Sequence, residues 1–244
     1  MTDTQPRRGF LRGFAFAHRE ALAFCIACPL IVAIPVLVEF AQHAIEMRIG
    51  MYDGPDGAQA AESHPLRMGF GFVKTLAISI MGYPVVRFLA GGRDAAAART
   101  IDPRAVGLFS LVLGLQAVLS ALGLFVFPAN DSLGIGFFIF GMVFGPLVAR
   151  FVVAAPLGVW TSPLASIRQM LPHIVFAVLF SLVAMLPLMA LHYALGIGAI
   201  FVGNTALQWA MLAIDSVLVG VLAALLVAIQ WVVALRAGPL ATNR

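Results

Sequence analysis

From Leu171 to Leu195 the chain runs for twenty-five residues without one Asp, Glu, Lys or Arg. A helix on the surface of a soluble domain needs a polar face toward water, and this run has none to give. A helix crosses a bilayer with about 20 apolar residues, so a run of this length sets the class of the protein. Five similar runs predict further spans at about 21–42, 67–89, 105–127, 133–155 and 207–235. The apolar residues are continuous rather than alternating, which selects helices over a closed barrel. Hydrophobic residues make up 61% of the chain and charged residues 11%, with mean hydropathy +1.00. Soluble domains carry about 25% charged residues. The expected fold is all-α: a polytopic integral membrane helical bundle of about six transmembrane helices, with residues 1–244 forming one membrane domain.

Arginine placement predicts the orientation. With the N-terminus in the cytoplasm, twelve basic residues fall inside: Arg7, Arg8, Arg12, Arg19, Arg87, Arg93, Arg99, Arg104, Arg150, Arg168, Arg236 and Arg244. Three fall outside or in the outer leaflet: Arg48, Arg67 and Lys74. Positive charge resists translocation, so both termini are expected in the cytoplasm. This makes 1–20 a basic cytoplasmic segment, 43–66 a periplasmic loop, and 90–104 and 156–170 cytoplasmic interfacial segments. The periplasmic loop carries Glu46, Asp53, Asp56 and Glu62 against two arginines.

Two span ends share a design, GYPVVRFLAGGRD from Gly82 and GPLVARFVVAAP from Gly145, offset by 63 residues. In each, a proline (Pro84, Pro146) kinks the helix, and an arginine (Arg87, Arg150) stands where its side chain can snorkel to headgroups. Arg87, Arg150 and Arg168 are therefore candidate lipid-headgroup contacts. Two readings stay open: ordinary inner helix ends, or a degenerate internal repeat of the kind that frames transport sites.

The stretch ARFVVAAPLGVWTSPLASIRQMLPHIVFAVLF, Ala149–Phe180, resembles a pattern in YciC-like six-span bacterial membrane proteins. These are related to the membrane domain attached to some glycerophosphodiester phosphodiesterases. The matching residues are Arg150, Pro156, Ser162, Ser166 and Arg168, and the segment Arg87–Phe109 matches that family's first cytoplasmic loop in placement. The chain departs from the pattern after the serines, where only Arg168 precedes Leu171-Pro172 instead of a basic-aromatic run. The resemblance implies a six-span fold and no defined reaction, since the phosphodiesterase activity belongs to a separate soluble domain.

Other motifs read as structure. Arg7, Arg8, Phe10, Leu11 and Arg12 match a twin-arginine export address. The long run and five further spans behind them favour a basic juxtamembrane anchor on anionic lipid. Cys25 and Cys28 lack a second pair for a tetrahedral metal site and read as small apolar residues. The five histidines, His18, His43, His64, His173 and His192, are scattered in sequence, so no metal or other cofactor is called for. Gly134, Gly136, Gly141 and Gly145 in the fourth span, and Ser216, Gly220 and Ala224 in the sixth, read as close-packing faces. Such faces allow contact with other membrane subunits as well as within the chain. No hydrolase or nucleotide-binding motif is present and no nucleic-acid partner is implied, so an enzyme is not expected.

The residues that point to function are ionisable ones inside spans. Lys74 sits about 10 Å deep at 1.5 Å per residue. Asp215 lies at similar depth in the sixth span, and Glu39 is shallower in the first. A lone charge there costs about 2.5–3.5 kcal/mol on insertion scales, so partners are expected. Lys74–Asp215 is the natural pair, with Glu39 as second acceptor and Gln116 extending the candidate polar site inward. The leading expectation is a non-enzymatic, lipid-associated accessory or scaffold protein of a bacterial inner membrane. The alternative is a small-solute, ion or lipid transporter or channel built on that polar site.

Overall fold

The computed structural model of the chain describes residues 9–127 and 132–240. They are mostly helical, without a strand among them: α1 Phe10–Ala27, α2 Pro29–Arg48, α3 Pro55–Ala61, α4 Pro65–Ile80, α5 Gly82–Ala90 and α6 Ala95–Arg99 come first. There follow α7 Pro103–Ala121, α8 Ser132–Leu147, α9 Ala149–Ala154, α10 Pro163–Met170, α11 Ile174–Phe201 and α12 Thr205–Leu235. Five segments are long and apolar enough to cross a membrane, or six when α8 and the segment 149–157, bent by 53° from it, count as one broken span. The all-α membrane bundle is thus the observed fold.

The first span begins later than hydropathy suggested. Cys28 leaves the helical region at φ −131°, ψ 51°, and Pro29 opens α2. Proline has no N–H for the preceding turn and is accommodated at a helix start, so it splits the apolar run in two. The crossing helix is Pro29–Arg48, while α1 keeps Arg12, Arg19 and Glu20. The expected loop 43–66 shortens for the same reason: His43 and Glu46 are buried on α2. Of the twin-arginine match, Arg7 and Arg8 lie outside the described residues, and Phe10, Leu11 and Arg12 form the first turn of α1.

Helix α12 is the axis. From Leu218 to Ala234 most of its residues are buried, and α1 and α2 run antiparallel along it. The largest core cluster joins Ala17, Ala21 and Phe24 of α1 to Phe88 of α5, Phe180 of α11 and Ala224, Ala228 and Val232 of α12. Phe10 and Arg236 both flank the ring of Phe176, at 6.0 and 4.4 Å, so the two described ends of the chain meet at one end of the bundle. An even number of crossings follows. Cysteines placed at the exposed positions Asp56 and Ala96 should therefore label from opposite sides of the membrane; labelling of both from one side would remove a span from this topology.

The small-residue face of α12 does pack closely. A Cβ at Gly220 would stand 2.6 Å from Val36 Cγ2 and 2.9 Å from Val32 Cγ1 of α2. Valine is stiff at χ1 and cannot swing aside. Gly220→Ala should destabilise by about 1–3 kcal/mol, the usual cost of overpacking, and Val36→Ala should recover much of the loss in thermal unfolding. Three glycines of α8 behave differently. A Cβ at Gly136, Gly141 or Gly145 would meet nothing within 4 Å, so the close approach expected there is not made among the described residues.

Two arginines expected to snorkel turn inward instead. Arg150 is buried, and its guanidinium donates to the carbonyls of Ala234 at 2.9 Å, Gly238 at 2.8 Å and Pro239 at 3.0 Å. Ala234 lies in the last turn of α12, where unpaired acceptors and the helix dipole attract a forked cation, and Gly238 and Pro239 lie in the segment that follows it. Arg87 donates to Ala97 O at 3.1 Å and Pro156 O at 3.2 Å, which joins the ends of the two similar motifs through one side chain. Arg168 stays exposed on α10.

Candidate functional site

Helices α2, α4, α11 and α12 bring their ionisable residues to one place. Glu39, Gln42, His43 and Glu46 recur at three- and four-residue spacing, so α2 presents them on one face. All four are buried, and Asp215 of α12, opposite them, is 0% exposed. His43 is the centre. Its Nε2 lies 3.1 Å from Asp215 Oδ2 and 3.3 Å from Glu39 Oε1. Its Nδ1 lies 3.0 Å from Glu46 Oε2 and 3.1 Å from Tyr52 Oη. The second oxygen of Asp215 faces His192 Nδ1 of α11 at 2.7 Å.

Glu46 is fixed from three further sides. Gln42 Nε2 donates to it at 2.9 Å, Tyr52 Oη at 2.9 Å and Arg67 Nε at 3.1 Å. Tyr52 follows α2 in the loop, and burial, reinforced by the Glu46 carboxylate, pushes its phenol far above the usual range, which keeps it a donor. Gln208 holds that loop over the cluster by donating to Tyr52 O at 2.9 Å and Ala199 O at 3.1 Å.

Lys74 finds a different partner from the one its depth suggested. Its Nζ donates to Glu39 Oε1 at 3.3 Å and stands 3.1 Å from Oε2. Asp215 is taken by the two histidines, so Lys74 and Asp215 are linked only through Glu39 and His43. Depth alone could not separate Glu39 from Asp215 as the nearer acceptor. Gln116 is not joined to the network: its Oε1 is buried without a hydrogen-bond partner among the described residues.

The charge balance is informative. Glu39, Glu46 and Asp215 supply three negative charges, and Lys74 and Arg67 two positive ones. A neutral imidazole donates at one nitrogen only, yet His43 has carboxylate oxygens at both. One further positive centre, a proton or a cation, completes the cluster. Another ion pair lies at the other end of the bundle, where the exposed Arg93 meets both oxygens of the buried Glu20 at 2.8 Å. Hydrogen bonds to Glu20 raise the already high basicity of Arg93, and the two side chains face one another through both carboxylate oxygens.

Reading the sequence by loops placed His43 and Glu46 outside the membrane and His192 apart from both. The signal that could have found them is the Glu39-x-x-x-His43-x-x-Glu46 spacing, once α2 is extended to Arg48. No known protein family, curated protein or solved structure matches the chain.

Proposed function

We propose that the protein is a membrane-embedded carrier or channel for a proton or small cation, with the cluster around His43 and Asp215 as its working site. The observation that supports this best is one buried imidazole with carboxylate oxygens at both nitrogens. Ionisable groups inside spans are costly to keep and mark ion pathways or proton relays. A bundle held only by packing has no need of an imidazole short of one positive charge. The arginine asymmetry supports a bacterial inner-membrane setting with both termini cytoplasmic.

Vesicles of phosphatidylethanolamine and phosphatidylglycerol containing the protein provide the test. Under an imposed potential, internal pH and cation indicators should respond faster than in empty vesicles for protons or for one cation. Equal rates for protons, monovalent and divalent cations would overturn the reading. One observation favours the expected non-enzymatic accessory or scaffold role as second reading: the cluster is closed and ties four helices together, leaving lipid contacts to the exposed apolar faces and Arg168.

A further inference from the structure

We infer that Glu39, His43 and Asp215 form a binding site for a first-row divalent transition metal, with Lys74 as the resident cation that a metal displaces. This rests on reading the cluster as a cation site and names the cation. One ligand atom from each of the three residues lies within 4.8 Å of the other two. His43 Nε2 is 3.1 Å from Asp215 Oδ2 and 3.3 Å from Glu39 Oε1. Metal–ligand bonds of about 2.0–2.1 Å at tetrahedral angles place ligand atoms about 3.3 Å apart. The side chains therefore already hold the spacing of a coordination edge.

The surroundings are those of a metal site as well. A ligating histidine characteristically donates its other ring N–H to a carboxylate, which fixes the ring and raises its basicity. Here Glu46 Oε2 stands 3.0 Å from His43 Nδ1 and accepts from Tyr52, while Gln42 and Arg67 donate to Oε1 of the same carboxylate. His192 orients Asp215 from its far oxygen in the same way. A second sign is Glu39 Oε2, which is buried and accepts no hydrogen bond, its neighbour being the Lys74 ammonium in an ion pair at 3.1 Å. One nitrogen and two oxygens suit Zn²⁺ or Mn²⁺ better than Mg²⁺, which avoids imidazole. Three protein ligands leave a fourth position open to water or a passing ligand.

Binding is an exchange in charge. The metal brings two positive charges, the proton between His43 Nε2 and the carboxylates leaves to water, and the Lys74 ammonium moves off Glu39. Lys74 has room to do so, since its side chain is 22% exposed.

Purified full-length protein, stripped with chelator and titrated with Zn²⁺, Mn²⁺ and Mg²⁺ in detergent, decides the matter. One equivalent of Zn²⁺ per chain should bind, and Co²⁺ in its place should give the intense visible bands of a four-coordinate ion. His43→Gln and Asp215→Asn should lose the equivalent. Glu46→Gln, which touches no metal, should weaken binding about 10–100-fold. Lys74→Gln should tighten it about tenfold or more, because a competing charge is gone. A merely structural Lys74 would leave affinity unchanged and lower the unfolding temperature only. The wild-type measurement needs no variant to fold. If it binds no stoichiometric Zn²⁺ or Mn²⁺, or if Lys74→Gln binds more weakly, the metal inference fails. Proton flux in vesicles that persists without metal would then leave the broader reading standing.

Discussion

Arg150→Met is expected to lower stability by about 3 kcal/mol or more, the largest loss from a single residue outside the polar cluster. Arg150 donates to three carbonyls at the end of α12, all within 3.0 Å. Hydrogen bonds to a charged group are worth about 1.5–3 kcal/mol each, and their removal leaves the buried Ala234 carbonyl unpaired. Methionine fills similar volume, so the loss reads the bonds rather than a cavity. Arg150→Lys should recover only part, because an ammonium cannot fork across Ala234, Gly238 and Pro239. Thermal unfolding followed by circular dichroism in detergent checks both. A Lys variant as stable as wild type would mean that charge alone is needed there.

The second large effect is non-additive. Glu39→Gln alone should destabilise by about 3 kcal/mol, the lower end for breaking a buried pair, because Lys74 can partly reach a polar surface. Lys74→Met alone leaves Glu39 charged at 1% exposure and should cost at least as much. The double variant should cost less than the sum by more than about 1 kcal/mol, since neither survivor remains unpaired. Additive losses in the same unfolding assay would show that the two side chains do not stabilise one another.

The span count was legible because it rests on long apolar runs, which nothing in a soluble fold imitates. The start of the first span was not: hydropathy averages across Cys28 and Pro29, whereas the backbone turns on a single missing N–H. That error carried over to the site. Ending the span at residue 42 put His43 and Glu46 in a loop, so the helical face that organises the cluster was cut in half. Lys74, Glu39 and Asp215 were recognisable by the cost of burying charge, but their pairing depends on helix rotation, which depth does not encode. Arg87 and Arg150 misled in the opposite sense. Position at a span end is compatible with headgroups or with backbone carbonyls, and only tertiary contacts choose between them.

The cluster around Asp215 is proposed to work as a cation or proton site and not merely to hold the bundle together. Asp215→Asn tests it most directly, since the amide keeps the shape and removes the charge. Flux into vesicles and unfolding temperature should be measured on the same preparation. A folded variant whose proton and cation flux falls to that of empty vesicles is the expected result. A folded Asp215→Asn protein with wild-type flux would contradict it.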